Sequence, residues 1–465
     1  MDSSRPSINP LMFRAYDIRG LAGSDLTPEI ARAIGQAWGT WLRRRGGTTM
    51  IVGRDMRPSS PGLRDGFIEG SRAAGCDVTD IGYATSPLMY FSTIDRGVDG
   101  GVNITASHNP VEYNGIKMVT DGALPLSEEE IREVRDLALR GDFEVGSGHL
   151  SEWNPVERYY ERITSVVSLA RPMKVVVDTG NGVAGLFVPE LLRRLGCEVV
   201  ELYTEPDSSF PNHLPDPEKE ENMRDLMALV PQVDAEVGLA WDGDGDRLGV
   251  CDHRGKRYEA DYLNILMSRD LLTRHPGARV LLDVKSSLNV LRDIREHGGE
   301  PVLWKTGHSF MKRKMRQDGL LLGGELSGHL FVAEDYYPVD DALYASARLL
   351  SILSRSPRPL ADQFHGLPQL FATELIQLRC PDEQKFQVVA ALKASLESRY
   401  PVLDIDGARA DFGDGWALVR CSNTSPALTV RCEATTATAL ERIMAEMHGL
   451  LAAQPSVDMS AWPAD

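Results

Sequence analysis

Cysteine is scarce in this chain of 465 residues: there are six, at Cys76, Cys197, Cys251, Cys380, Cys421 and Cys432. They are scattered, with no C-x-x-C pair, so neither a disulfide framework nor a cysteine zinc site is expected, and buried reduced thiols are the simpler reading. Long apolar runs are absent too. Nothing approaches the roughly 18 consecutive apolar residues of a membrane span, and the amino-terminal MDSSRPSINP lacks the apolar centre of a signal peptide. The chain is therefore expected in the cytoplasm, with no membrane partner. Positive charge is in short supply: 50 Lys and Arg against 67 Asp and Glu leave a formal charge of -17. That balance repels a phosphate backbone at long range and argues against nucleic acid as a partner. An anionic small molecule would bind only where cations are gathered locally.

What is present is ample material for burial, with 42% of residues hydrophobic. At about 150 residues per domain, roughly three domains are expected. One pattern recurs at intervals of roughly a hundred residues, too long for a solenoid but natural for duplicated domains. It begins with a short buried strand ending in aspartate: MIVGRD (50 to 55), KVVVD (174 to 178) and RVLLD (279 to 283). A helix follows each, with Phe187, Leu191, Leu192 and Leu195 at helical spacing in the second copy and Leu288, Leu291 and Ile294 in the third. A second strand returns after a glycine, which implies parallel pairing. Each unit then has one more apolar strand (GGVNIT, EVGLAW, GLLLG) that delivers a polar loop, glycine-rich in the second and third copies: TASHNP (105 to 110), DGDGDR (242 to 247) and GELSGH (324 to 329). Ligands of open α/β sheets bind beyond the carboxyl ends of the strands, so the three loops are expected to face one cleft.

The last hundred residues read differently. A helix with Phe386, Val389, Leu392 and Leu396, the strands WALVRC and ALTVRCEA, and a final helix with Leu440, Ile443, Met444, Met447 and Leu451 suggest a smaller α+β domain. The fold class is thus three similar mixed-sheet α/β domains followed by a smaller α+β domain, around one central cleft. Expected borders are 1–153, 154–254, 255–367 and 368–465.

In TASHNP, Ser107 lies between small residues beside His108 and before Asn109-Pro110. Such a turn is either structural or the seat of a nucleophile that accepts and returns a phosphoryl group. In DGDGDR, Asp242, Asp244 and Asp246 alternate with glycines that let three carboxylates converge on one hard cation. An EF-hand would place glycine and glutamate where Arg247 and His253 stand, so a calcium loop of that kind is excluded. A second reading of Asp242-Gly-Asp244-Gly is an aspartyl-phosphate phosphatase with Asp242 as nucleophile, and Lys285 and Asp340-Asp341 as partners. GELSGH offers Glu325 and Ser327 to a polyol and His329 as a titratable group, or forms a plain turn. SNTSP (422 to 426), flanked by Arg420 and Arg431, has the inventory of a phosphate cradle and equally that of a strand connection.

These loops in this order, with FRAYDIRG (13 to 20), NGIKMV, KTGH and RCSNTSP, resemble the α-D-phosphohexomutase family, in particular its bacterial phosphomannomutase/phosphoglucomutase group. The resemblance runs over nearly the whole chain. It implies phosphoryl transfer between the 1- and 6-positions of a hexose phosphate through phosphorylated Ser107, with a sugar 1,6-bisphosphate as activator and intermediate. It assigns Mg2+ to Asp242, Asp244 and Asp246, completed by an oxygen of phosphorylated Ser107. It assigns the sugar hydroxyls to Glu325 and Ser327, and the phosphate that is not being transferred to Arg420, Ser422, Asn423 and Thr424. Tyr16, Arg19, Lys117, Arg247, Lys285, His308 and His329 are implied as the remaining cleft residues, with Lys117 and His329 as general acid and base. Leu326 stands where relatives often have methionine, and Pro338 where more flexible residues are usual. The R-x-S-N-T loop points to mannose and glucose phosphates, with hexosamine-phosphate specificity as the alternative. A monomer or weak oligomer is expected.

Overall fold

The computed structural model describes residues 6–423 and 425–463. Three of its four sheets repeat one arrangement. In the first, the strand Thr49–Arg54 lies between the parallel strands Asp77–Tyr83 and Gly100–Ile104, and Gly100–Ile104 turns back into the antiparallel Tyr113–Thr120. In the second, Lys174–Asp178 lies between parallel Glu198–Leu202 and Val237–Trp241, and the latter turns back into antiparallel Leu248–Asp252. In the third, Arg279–Asp283 lies between parallel Glu300–Trp304 and Leu322–Gly324, and the latter turns back into antiparallel Leu330–Val332. The three polar loops are therefore topologically equivalent: each is the reversal at the carboxyl end of a strand beside the central one.

The central strands are β-branched or leucine-rich because both faces are covered; Val175, Val176 and Val177 are all fully buried. Helix ends follow local chemistry. Pro28–Arg43 starts on a Thr27 side-chain cap with proline in its first turn, and Glu128–Arg140 starts on a Ser127/Glu130 capping box and ends at left-handed Gly141. In the second unit the expected helix is shorter than its spacing suggests. Residues Val183–Leu186 form a 3-10 turn, and the α-helix runs only Val188–Arg194 after Phe187, which has left helical geometry.

The fourth sheet is wholly antiparallel, ordered Phe371–Ala372, Ala427–Ala434, Gly415–Cys421, Ala408–Asp411, Val402–Leu403, with Ile376–Arg379 also on Ala427–Ala434. Helices Asp382–Glu397 and Ala437–Ala452 cover it. Phe386 is not on the packed face: it is 67% exposed, and Val388, Val389, Leu392 and Leu396 take that role.

One apolar core runs continuously through the first three units, whereas the fourth has its own. Its contact with the third unit joins a small apolar cluster, Val284 against Trp416 and Leu418, to a set of polar contacts. Arg409 donates to the carbonyls of Val284 and Ser286, and Glu433 accepts from the Leu288 amide and the Trp416 indole. A seam of this mixed kind, between units with separate cores, permits relative movement of the units. All six cysteines are unpaired; five are buried and Cys421 is partly exposed. Among the described residues no helix is long and apolar enough to cross a membrane.

Candidate active site

The three equivalent loops converge on a cavity of about 580 Å3 whose fourth side is the turn after Gly415–Cys421. Arg14, Arg19, Lys117, Arg247, Lys285 and Arg420 line it, against the carboxylates of Glu218 and Glu325. An acidic chain thus gathers cations at one place, as an anionic ligand requires.

Ser107 follows the strand Gly100–Ile104 and has a left-handed backbone, φ 53°, uncommon for a residue with a Cβ. Its amide donates to Thr105 Oγ1 at 3.0 Å; its hydroxyl donates to Asp242 Oδ2 at 2.7 Å and lies 3.0 Å from His108 Nδ1. The two loops can meet this closely because position 243 is glycine: a Cβ there would lie 2.3 Å from the Ser107 carbonyl oxygen.

The triplet Asp242, Asp244 and Asp246 is fully buried, with one carboxylate oxygen of each within 4.8 Å of the others. Asp242 Oδ1 accepts the amides of Asp246 and Arg247, so both of its oxygens are engaged. Asp244 Oδ2 accepts from Ser86 Oγ and Lys117 Nζ, each at 2.6 Å, and Asp246 Oδ2 accepts from Lys117 at 2.6 Å. Asp244 Oδ1 and Asp246 Oδ1 are buried without a hydrogen-bond partner. An all-oxygen donor set with orphaned carboxylate oxygens fits a hard divalent cation.

Burial among the other carboxylates pushes Asp242 well above the usual range. Burial acts on Asp246 in the same direction, but the Lys117 ammonium and His329 outweigh it and hold that carboxyl well below. Burial lowers His329, yet the Asp246 charge and the close carboxylates of Asp246 and Glu325 carry it up to about 9. Its Nδ1 lies 3.0 Å from Ser327 Oγ and 3.3 Å from Glu325 Oε2; its Nε2 lies 3.4 Å from Asp246 Oδ1. His308 stacks on it at 5.6 Å and is held well below its usual range by burial and then by Lys312 and Lys117.

The remaining expected residues fall in the same cleft. Lys117 and Arg19 come from the neighbouring antiparallel strands Tyr113–Thr120 and Asp17–Leu21, and Arg19 is aimed by Asp17 and Asn109. Tyr16 meets His308 edge-on at 4.7 Å. Lys285 sits 3.3 Å from Asp283, and Glu325 accepts the Gly307 amide at 2.6 Å. In the fourth unit, Arg420 Nε donates to Asp406 while one Nη is buried without a partner, and Asn423 reaches the Thr306 carbonyl at 3.0 Å. The Ser422 hydroxyl accepts from the Ser425 amide and hydroxyl. Thr424 lies outside the described residues.

Two residues weighed from sequence lie elsewhere. Arg431 is buried in the seam with the third unit, paired to Glu259 at 3.1 Å. Asp341 caps the helix Ala342–Arg355 and accepts from the hydroxyls of Tyr159 and Tyr336. Its neighbour Asp340 lies behind the histidine pair, on Lys312 at 2.6 Å.

Sequence reasoning missed Glu218, which lines the cleft and pairs with Arg247 at 3.3 Å. It also missed Arg57, Ser86 and Lys385. The D-x-R at 55 to 57, directly after a strand end on the side where ligands gather, was the one available signal.

Comparison with known proteins agrees with this architecture. Models of the phosphoglucomutase/phosphomannomutase α/β/α domains I, II and III match residues 10–145, 157–255 and 259–371, and that of the C-terminal domain matches 375–450. A phosphomannomutase/phosphoglucomutase of Pseudomonas aeruginosa is 42% identical over 97% of both chains. A phosphoglucomutase of Neisseria meningitidis serogroup A is 41% identical over 97% of this chain and 98% of its own. The crystal structure of a phosphoglucomutase/phosphomannomutase family protein from Burkholderia thailandensis, 41% identical, superposes with a TM-score of 0.91 over 97% of this chain and 99% of that one. The chain belongs to the phosphoglucomutase/phosphomannomutase family, the bacterial group of α-D-phosphohexomutases that its motifs resemble.

Proposed function

We propose that this protein is a hexose-phosphate mutase that moves a phosphoryl group reversibly between the 1- and 6-positions of glucose or mannose phosphate, through a phosphorylated Ser107 and a sugar 1,6-bisphosphate. The observation that carries this reading is the Ser107 hydroxyl, 2.7 Å from the first of three converging carboxylates at the floor of a cationic cleft. Relatives of similar length that are named phosphomannomutase/phosphoglucomutase and phosphoglucomutase support it.

In this reading phosphorylated Ser107 gives its phosphoryl group to the free hydroxyl of a hexose monophosphate, and the bisphosphate turns over in the cleft. The other phosphoryl group then returns to Ser107. Arg420, Ser422, Asn423 and Thr424 hold the phosphate that is not moving, at whichever end of the sugar it lies. Glu325 and Ser327 take the sugar hydroxyls, and Tyr16, Lys285 and His308 shape the cleft around them. Arg247 and Arg19 face the transferring oxygens and stabilise their charge. Lys117 and His329 move the proton of the attacking hydroxyl, a contribution of about 10² to 10⁴ in rate. Asp242, Asp244 and Asp246, with an oxygen of phosphorylated Ser107, would hold Mg2+, which supplies charge neutralisation at the transferring group. Movement of the fourth unit over its seam with the third exchanges the sugar and excludes water. We place the unit borders near residues 153, 254 and 367, where limited proteolysis would map them.

Asp242 as a phosphatase nucleophile has no support in the geometry, because it is fully buried and does not line the cleft, whereas Ser107 does. The test is the chemistry of the phosphorylated protein. A phosphoserine resists hydroxylamine, and release of the label by hydroxylamine would assign the phosphoryl group to a carboxylate instead.

A further inference from the structure

The proline-rich stretch 204–219, with no motif to explain it, meets the cleft wall and the residues beneath its loops at three points. Glu218 pairs with Arg247, the Pro215 carbonyl accepts the amide of Gly243 at 3.2 Å, and Phe210 lies over the guanidinium of Arg57 at 5.4 Å. Phe210 is itself buried, in a left-handed conformation with φ 47°.

Arg57 is 1% exposed and does not line the cleft, so it is not placed to touch substrate. Its donors are spent on the serine loop. Nη2 donates to the carbonyls of Ser107 at 2.9 Å and Asn109 at 2.6 Å, Nη1 to those of Pro110 at 2.7 Å and Tyr113 at 3.0 Å, and Nε to Asp55 at 3.2 Å. That uses all five N–H groups of a guanidinium. Asp55 is fixed in turn by the Arg57 amide and by Ser60 Oγ at 2.5 Å. A planar fork gathering four carbonyls holds a loop in a conformation it would not otherwise keep, and here the loop contains the left-handed Ser107. The Ser107 carbonyl that Arg57 holds is also the one closest to Gly243 of the carboxylate loop.

We infer that Arg57, with the Phe210 ring beside its guanidinium, is a positioning residue for phosphoryl transfer: it sets the register between the Ser107 loop and the carboxylate loop without contacting substrate. The inference rests on Ser107 being the phosphoryl carrier. A displacement of about 1 Å at a reacting group costs on the order of 100-fold in rate, so the effect belongs in kcat and leaves substrate binding intact.

The experiment compares wild type, Arg57→Ala, Arg57→Lys, Phe210→Leu and Ser107→Ala, each checked for folding by circular dichroism, in the mutase assay with glucose 1-phosphate. The expected result for Arg57→Ala is a fall in kcat on the order of 100-fold with KM little changed, partly restored by added guanidinium and not by methylammonium. Arg57→Lys stays impaired, because one ammonium cannot hold four carbonyls. Wild-type kcat in folded Arg57→Ala, or a loss that guanidinium does not relieve, overturns the inference. If Arg57→Ala fails to fold, Phe210→Leu decides: a lowered kcat at unchanged KM supports the inference, and an unchanged kcat overturns it. Activity retained by Ser107→Ala would overturn the reading beneath it, and is distinguishable because it appears in the control.

Discussion

The Lys117 ammonium lies 2.6 Å from a carboxylate oxygen of Asp244 and 2.6 Å from one of Asp246, and it is the cation nearest the triplet by hydrogen bonding. The carboxylates are buried, so removing the lysine leaves Asp244 without its cation and Asp246 with His329 alone, a loss of about 3 to 5 kcal/mol for a broken buried pair. Lys117→Met is expected to lower the thermal midpoint in EDTA and to recover it with Mg2+, while turnover falls about 10² to 10⁴-fold whatever the metal. A variant as stable as wild type in EDTA would contradict this account of the triplet.

Asp244→Ala removes one carboxylate of three while Asp246 still pairs with Lys117. The expected outcome is a folded protein by circular dichroism with no measurable turnover, and a wild-type enzyme that loses activity in EDTA and regains it with Mg2+. Full activity of the wild type in EDTA would remove the metal from the mechanism.

Lys385 is buried beneath the turn that follows Gly415–Cys421 and donates to the carbonyls of Ser422 at 2.7 Å and Ser425 at 3.2 Å. A buried cation tied to two carbonyls of a turn fixes the turn's shape, and with it the positions of the side chains that the turn presents to the cleft. Lys385→Met is expected to raise KM for the sugar phosphate by about 10-fold, the cost of roughly one charge-assisted hydrogen bond. An unchanged KM would show that the loop keeps its shape without this support.

Asp261 gives a pH dependence of stability. It lies in the seam between the third and fourth units, and burial raises its carboxyl to about 7, which the Arg431 charge only partly offsets. The folded protein then binds a proton that the unfolded chain has released, so stability is full below the unfolded value, near 4, and falls as pH rises through about 7. The whole effect is at most about 4 kcal/mol, at about 1.4 kcal/mol per unit. Asp261→Asn is therefore expected to raise the thermal midpoint at pH about 8 and to leave it unchanged at pH about 4.5. A midpoint difference independent of pH would mean that Asp261 does not titrate in the seam.

Much of this arrangement was legible in the sequence because it is local. Strands buried on both faces read as apolar runs ending in Asp178 and Asp283, and the reversals after them carry the chemistry, so Ser107, Asp242 and Glu325 stood out by position in a repeat. Residues that act through long-range contacts did not. Arg57 sits 50 residues before the serine whose carbonyl it holds, and Ser86 sits 158 residues before Asp244. Phe386 was misplaced for the opposite reason: helical spacing identifies a stripe but not its edge, and Val388 and Val389 together took the face that Phe386 was expected to share. Arg431 follows SNTSP closely in sequence, yet strand geometry carries it to the seam with Glu259.

The measurement that bears most directly on the central claim is a coupled assay of glucose 1-phosphate and mannose 1-phosphate conversion, with Mg2+ and a trace of the sugar 1,6-bisphosphate, for wild type and Ser107→Ala. The account predicts conversion of both sugars by the wild type and its loss in the variant. Release of inorganic phosphate instead, at a rate the serine change does not alter, would contradict it.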